Sequence, residues 1–131
     1  MKWTIVVRGK FDAAHRLVGY PGACANVHGH TWVVEVGVEV DRLDDLGMGI
    51  DFKLVRGTLN DILKKFDHAL LMKKGDGMFK GLPIRSVDFE MNPTAEMIAK
   101  AVYDEFKERG WENVKFVKVW ESENAYVEYI E

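Results

Sequence analysis

His28-Gly29-His30-Thr31-Trp32-Val33-Val34-Glu35-Val36-Gly37-Val38-Glu39-Val40 is the stretch that decides the fold. From Thr31 onward, Trp32, Val34, Val36, Val38 and Val40 fall on one side and Thr31, Glu35, Gly37 and Glu39 on the other. Only Val33 is out of place. A two-residue period of this length specifies a half-buried β-strand. His28 and His30 share the parity of the apolar side, so an extended lead-in aims both imidazoles at the buried face. Gly29 removes side-chain bulk between them. Four residues upstream of His28 stands Cys24, the only cysteine among 131 residues.

Working outward, Trp3 to Phe11 is apolar and β-branched and reads as a first strand. His15 follows it closely. Asp41 to Ile50 reads as a turn. Asp51 suits a helix N-cap, and Val55, Leu59, Ile62, Leu63 and Phe66 then keep helical spacing, with the helix ending near Asp67-His68. Lys73 to Asn92, with Gly75, Gly77, Gly81 and Pro83, reads as loop. Asn92 suits the N-cap of a second helix with Pro93 in its first turn. Ala95, Ile98, Ala99, Val102 and Phe106 form its stripe, and Gly110 ends it. Val114–Trp120 and Ala125–Ile130 read as two closing strands joined across Glu121-Ser122-Glu123-Asn124. The order ββααββ predicts an α+β fold: one four-stranded antiparallel sheet with both helices on one face, in a single domain over residues 1–131.

Composition narrows the functional classes. The formal net charge is −3, and charges of both signs are interspersed, so nothing suggests a nucleic-acid footprint. A single cysteine fits a reducing compartment. The first residues form too short an apolar run for a signal peptide, and no stretch reaches membrane-span length. The expectation is a soluble, cytoplasmic protein without membrane or nucleic-acid partners.

Three histidines, His15, His28 and His30, form a candidate metal set. Three imidazoles with an open fourth position suit a catalytic zinc, with iron and nickel as the other imidazole-compatible ions. Cys24 has three readings: a fourth ligand closing a structural site, a thiolate base or nucleophile beside the metal, or a small buried hydrophobe. Asp67-His68 offers a carboxylate that can hold an imidazole in one tautomer. Glu121 ends an aromatic strand, where a carboxylate can accept two parallel hydrogen bonds from an amidine-like edge. Thr94 and Glu96 open the second helix, where an acidic residue also complements the helix dipole.

Phe11-Asp12-Ala13-Ala14-His15-Arg16-Leu17, Cys24 through His30, Asp51-Phe52, Asp67-His68, Asn92-Pro93-Thr94-Ala95-Glu96 and Glu121 occur in an order that resembles the 6-pyruvoyl-tetrahydropterin and 6-carboxy-tetrahydropterin synthase family. The resemblance spans nearly the whole chain. It implies the tunnelling fold, whose subunits join sheets into a barrel, and a homo-oligomer (trimer or hexamer) with the active site between subunits. It implies zinc on His15, His28 and His30, and Cys24 as the catalytic thiol. Asp67 and His68 become a proton-transfer pair reaching a neighbouring subunit's site. Glu121 becomes the pterin anchor, with Thr94 and Glu96 lining the pocket. The implied substrate is 7,8-dihydroneopterin triphosphate, with Arg16 and Lys73-Lys74 as candidates for its triphosphate. Three residues between Cys24 and His28 resemble the 6-carboxy branch, which releases acetaldehyde; the 6-pyruvoyl branch is the alternative. A structural zinc module and a zinc hydrolase are the competing readings from other classes.

Overall fold

A computed structural model describes residues 1–131. Six strands and two helices follow in the order β1 (Trp3–His15), β2 (His28–Val40), α1 (Phe52–Leu63), β3 (Ala69–Lys73), β4 (Ser86–Phe89), α2 (Ala95–Glu108), β5 (Val114–Ser122) and β6 (Ala125–Ile130). They form one sheet in the order β4-β3-β1-β2-β5-β6. The α+β class holds, but the expected four-stranded, fully antiparallel sheet does not. β3 pairs parallel to β1 through Ala13↔Ala69 and His15↔Leu71, and β4 pairs parallel to β3. Both lie where the sequence suggests a helix end and a loop. The element order is therefore ββαββαββ.

The long β1–β2 ladder runs antiparallel from Trp3↔Val40 to His15↔His28. Residues opposite each other share a face, so Val7, Phe11, Ala13 and His15 lie with Val36, Trp32, His30 and His28. This is the face that both helices cover. One cluster of 23 buried residues joins β1, β2 and β5 to Val55, Leu59 and Ile62 of α1 and Ile98, Val102 and Phe106 of α2. Gly9 lets α1 lie close: a β-carbon there would meet Leu63 at 3.0 Å and Leu59 at 3.2 Å. The opposite sheet face carries no helix. No helix is long and apolar enough to cross a membrane.

Caps set the helix positions. The Asp51 carboxylate accepts from the Lys53 N–H at 2.8 Å, as expected. Gly110, at φ 93°, follows the end of α2. The start of α2 differs from the expectation. Thr94, not Asn92, is the N-cap, its hydroxyl accepting from Met97 N–H. The Asn92 side chain instead accepts from Val18 N–H at 2.9 Å and donates to Val18 C=O at 3.0 Å. It pins the chain leaving β1 to the mouth of α2, which brings the end of β1 and the first turn of α2 to one place.

Candidate metal centre and cleft

Alternation, not proximity in sequence, assembles the metal centre. His15 and His28 are directly paired across the ladder, and His30 pairs with Ala13 one step inward. All three project to the helix-covered face at the end of the sheet. One ring nitrogen from each lies within 4.8 Å of the others. Trp32 is the next inward residue on that face. Its ring meets those of His15 and His30 edge-on, at centroid distances of 4.9 and 5.1 Å, and it is fully buried. Its indole N–H donates to Ala13 C=O, which fixes this floor in place.

Backbone carbonyls orient two of the imidazoles. His15 Nδ1 lies 2.7 Å from Pro93 C=O, and His28 Nδ1 lies 2.8 Å from Asn26 C=O. A carbonyl only accepts, so each Nδ1 carries the proton and each Nε2 presents a lone pair. Outer-sphere partners of this kind accompany metal-bound histidine. His15 Nε2 and His30 Nε2 are buried with no hydrogen-bond partner. Leaving such atoms unpaired is costly, and a cation between them removes the cost. The residues present therefore fit a divalent metal ion.

Burial lowers the His15 and His30 pKa values from the ordinary imidazole range, with His28 adding charge repulsion and Glu121 opposing the shift. A lowered folded-state value means that below about pH 6.5 the unfolded chain binds protons the folded chain resists. Stability is then full above that pH and declines as pH falls towards the folded-state values. Urea unfolding of chelator-treated protein is expected to lose stability between pH 7.5 and 5.5. In His15→Gln, which cannot titrate, that loss should shrink; an unchanged slope would contradict the assignment.

Glu121 reaches the centre by alternation: it shares the parity of the buried Val117 and Val119 on β5. The β5–β6 register shifts between Trp120 and Ser122, so Glu121 is also the extra residue of a bulge. Here Glu121 Oε1 stands 3.5 Å from His15 Nε2 and 3.7 Å from His30 Nε2. Beside it opens a cleft of about 300 Å³ lined by His15, Thr94, Glu96, Glu121, Tyr126 and Val127, among others. This is the low end of small-molecule sites, mostly apolar with a few polar groups at one end.

The remaining candidates divide. Cys24 sits in a three-residue 3-10 turn, Ala23–Ala25, half-buried and free. It is not among the residues whose ligand atoms converge. Asp67 and His68 are not among the residues whose ligand atoms converge. Asp67 Oδ2 is 2.9 Å from His68 Nδ1, and Asp67 Oδ1 accepts from Asp12 N–H at 2.9 Å. These two bonds hold the Asp67 carboxyl below the usual carboxylate range. His68 has φ 56°, the only positive φ outside glycine, and its backbone N–H donates to Asp12 C=O. Its exposed ring borders a second cavity lined by Asp12, Gly29 and Thr31, whose parity places them on the helix-free face, and also by Ala13 and His30. The Arg16 guanidinium is paired with Asp76. Sequence reading missed Trp32 as part of the site, although its parity with His28 and His30 is the available signal.

An α+β sheet carrying three convergent imidazoles at the lip of a small cleft defines a protein with a candidate metal site beside a cleft of small-molecule size. The family model described as 6-pyruvoyl tetrahydropterin synthase matches residues 4–131, and the chain belongs to that family. A 6-carboxy-5,6,7,8-tetrahydropterin synthase from Rickettsia bellii is 34% identical, over 92% of this chain and 95% of its own length. One from Aquifex aeolicus is 34% identical over 100% of this chain and 99% of its own. Among solved structures, an uncharacterized protein from Wolinella succinogenes superimposes with a TM-score of 0.86 at 18% identity, covering 100% of this chain and 99% of its own. The Caenorhabditis elegans 6-pyruvoyl tetrahydropterin synthase does so with a TM-score of 0.77 at 21% identity, covering 100% and 96%. At these identities the structures establish the fold alone. The chain is a tetrahydropterin synthase family enzyme.

Proposed function

We propose that this enzyme is a zinc-dependent lyase that converts 7,8-dihydroneopterin triphosphate to 6-carboxy-5,6,7,8-tetrahydropterin, releasing acetaldehyde and triphosphate. The observation that carries this reading is the pair of orphaned Nε2 atoms on His15 and His30 beside the Glu121 cleft. The names of the relatives, at 34% identity over most of the chain, favour the 6-carboxy product over the 6-pyruvoyl one.

In this reading His15, His28 and His30 hold the ion. Zinc bound there supplies a Lewis acid for the hydroxyls of the substrate side chain, acidifying the adjacent C–H. Glu121 accepts hydrogen bonds from the pterin N–H edge, and Thr94 and Glu96 line the ring's pocket. This is a positioning effect, since it fixes the side chain over the imidazoles. Cys24 takes the proton. His68, held in one tautomer by Asp67, delivers or accepts another. The pterin ring is reduced at the expense of its own side chain, so no redox cofactor is required.

Because His68 borders the helix-free face, the reading assigns the Asp67-His68 pair to the site of a neighbouring copy in a homo-oligomer. The exposed sheet edges, β4 and β6, support such assembly. A soluble, cytoplasmic setting belongs to the same reading.

Incubation with 7,8-dihydroneopterin triphosphate tests the assignment. The expected products are acetaldehyde and a 6-carboxy pterin in equal amounts. A 6-pyruvoyl pterin without acetaldehyde would move the enzyme to the other branch of the family.

A further inference from the structure

We propose that Arg16 is a positioning residue for Cys24: clamped by Asp76, it fixes the turn that carries the thiol against the strand ends that carry the histidines. The inference rests on the reading of Cys24 as the base of this site.

The turn at Ala23–Ala25 has little to hold it. None of its residues is buried, and Gly22 before it provides no side-chain cap. Its own bonds are two, Ala25 N–H to Gly22 C=O and Asn26 N–H to Ala23 C=O. Yet three consecutive carbonyls of this segment accept bonds from residues flanking or forming the metal centre. Cys24 C=O accepts from Leu17 N–H at 2.8 Å. Ala25 C=O accepts from Arg16 Nη1 at 3.4 Å. Asn26 C=O accepts from His28 Nδ1 at 2.8 Å. The backbone on either side of Cys24 is thus latched to the chain just after His15 and to His28 itself.

Of the three bonds, the Arg16 bond depends on a side chain outside the metal set, and that side chain is held by another. Arg16 Nε and Nη2 each donate to one oxygen of Asp76 at 2.8 Å. The two parallel bonds fix the plane of the guanidinium, which a lysine ammonium cannot reproduce. Asp76 is 4% exposed and its Oδ1 also accepts from Met78 N–H, so the anchor is itself fixed. Arg16 Nη1 is left pointing at the turn. Without the clamp, an unpacked turn swings, and displacement of a reacting group by about 1 Å costs about 10²-fold in rate.

The chain has one cysteine, so iodoacetamide alkylation followed by mass reports on Cys24 alone. The metal-loaded protein and its Arg16→Gln and Asp76→Asn variants are compared for alkylation rate, kcat and KM, with urea midpoints measured alongside. Alkylation is expected to accelerate several-fold in both variants at similar urea midpoints. With 7,8-dihydroneopterin triphosphate, kcat is expected to fall about 10- to 100-fold with little change in KM. Arg16→Lys, which keeps the charge and loses the fork, should resemble Arg16→Gln. Alkylation and kcat unchanged in both variants would overturn the proposal. So would a rise in KM alone, which marks a phosphate-binding arginine. Should Arg16→Gln not fold, Asp76→Asn decides, since it preserves shape and one acceptor. The alkylation arm needs no substrate, so it judges the clamp even if the proposed reaction is wrong.

Discussion

Replacing Cys24 with alanine is expected to reduce turnover of 7,8-dihydroneopterin triphosphate by about 10²- to 10⁴-fold, the range for losing a general base. Metal content and the unfolding transition should stay as in the wild type. The structure explains why these properties separate. The ligand atoms that converge belong to His15, His28 and His30 and do not include the thiol. Cys24 lies in a surface turn whose three residues are all unburied, outside the 23-residue core. Removing its sulfur opens no cavity and strips no ligand. Three classes of function then give three results. An enzyme with Cys24 as base keeps metal and fold and loses turnover. A structural zinc site closed by Cys24 loses metal and stability together. A hydrolase that uses metal-bound water keeps all three. Metal content by elemental analysis, urea unfolding and a product assay on one variant distinguish them.

The parts of this fold that are legible in the sequence are those fixed by local physics. β2 declares itself because one of its faces is buried and the other is not, so its chemistry alternates. That alternation also placed His28 and His30 on the helix-covered face before any contact was known. Asp51 and Gly110 were readable because a cap and a left-handed residue have side-chain requirements of their own. What was hidden depends on partners distant in sequence. Ala69-Leu70-Leu71 is apolar and buried, and three residues of that kind carry no period by which strand differs from loop or helix end. Parallel pairing with Ala13–His15 on one side and with β4 on the other makes β3 a strand. Asn92 looked like a cap because its type caps well, but Val18 offers it both a donor and an acceptor, and Thr94 takes the cap. Glu121 was legible as a carboxylate at a strand end. The bulge in which it lies was not, because a bulge is a property of the pairing. Arg16 followed the same pattern: its charge is legible, but its pairing with Asp76, sixty residues away, is not.

Replacing His28 with alanine is expected to abolish stable metal binding while leaving the fold in place. Loss of an outer-sphere partner of a metal-bound histidine costs about 10- to 100-fold in affinity, and loss of the ligand itself should exceed that. Competition against a chromophoric chelator measures it. Among the three histidines His28 is the better choice for this test, because His15 is 1% exposed and its bond to Pro93 C=O is buried, whereas the His28 bond to Asn26 C=O is exposed to water. His28 is half-buried and lies at the outer end of the β1–β2 ladder, opposite His15, so its deletion disturbs little packing. Circular dichroism of His28→Ala should match the wild type at 25 °C. Its melting temperature should equal that of chelator-treated wild type, because the stabilisation lost is the linkage term set by metal concentration and affinity. Unfolding of either sample would instead mean that the ion holds the domain together, as a structural zinc site does. The geometry argues for the first outcome. The apolar core beneath Trp32 is continuous from α1 through the sheet to α2, and the imidazoles pack at its edge against Trp32. An ion at its rim adds stability in proportion to its occupancy, and the fold that brings His15, His28 and His30 together exists before the ion arrives.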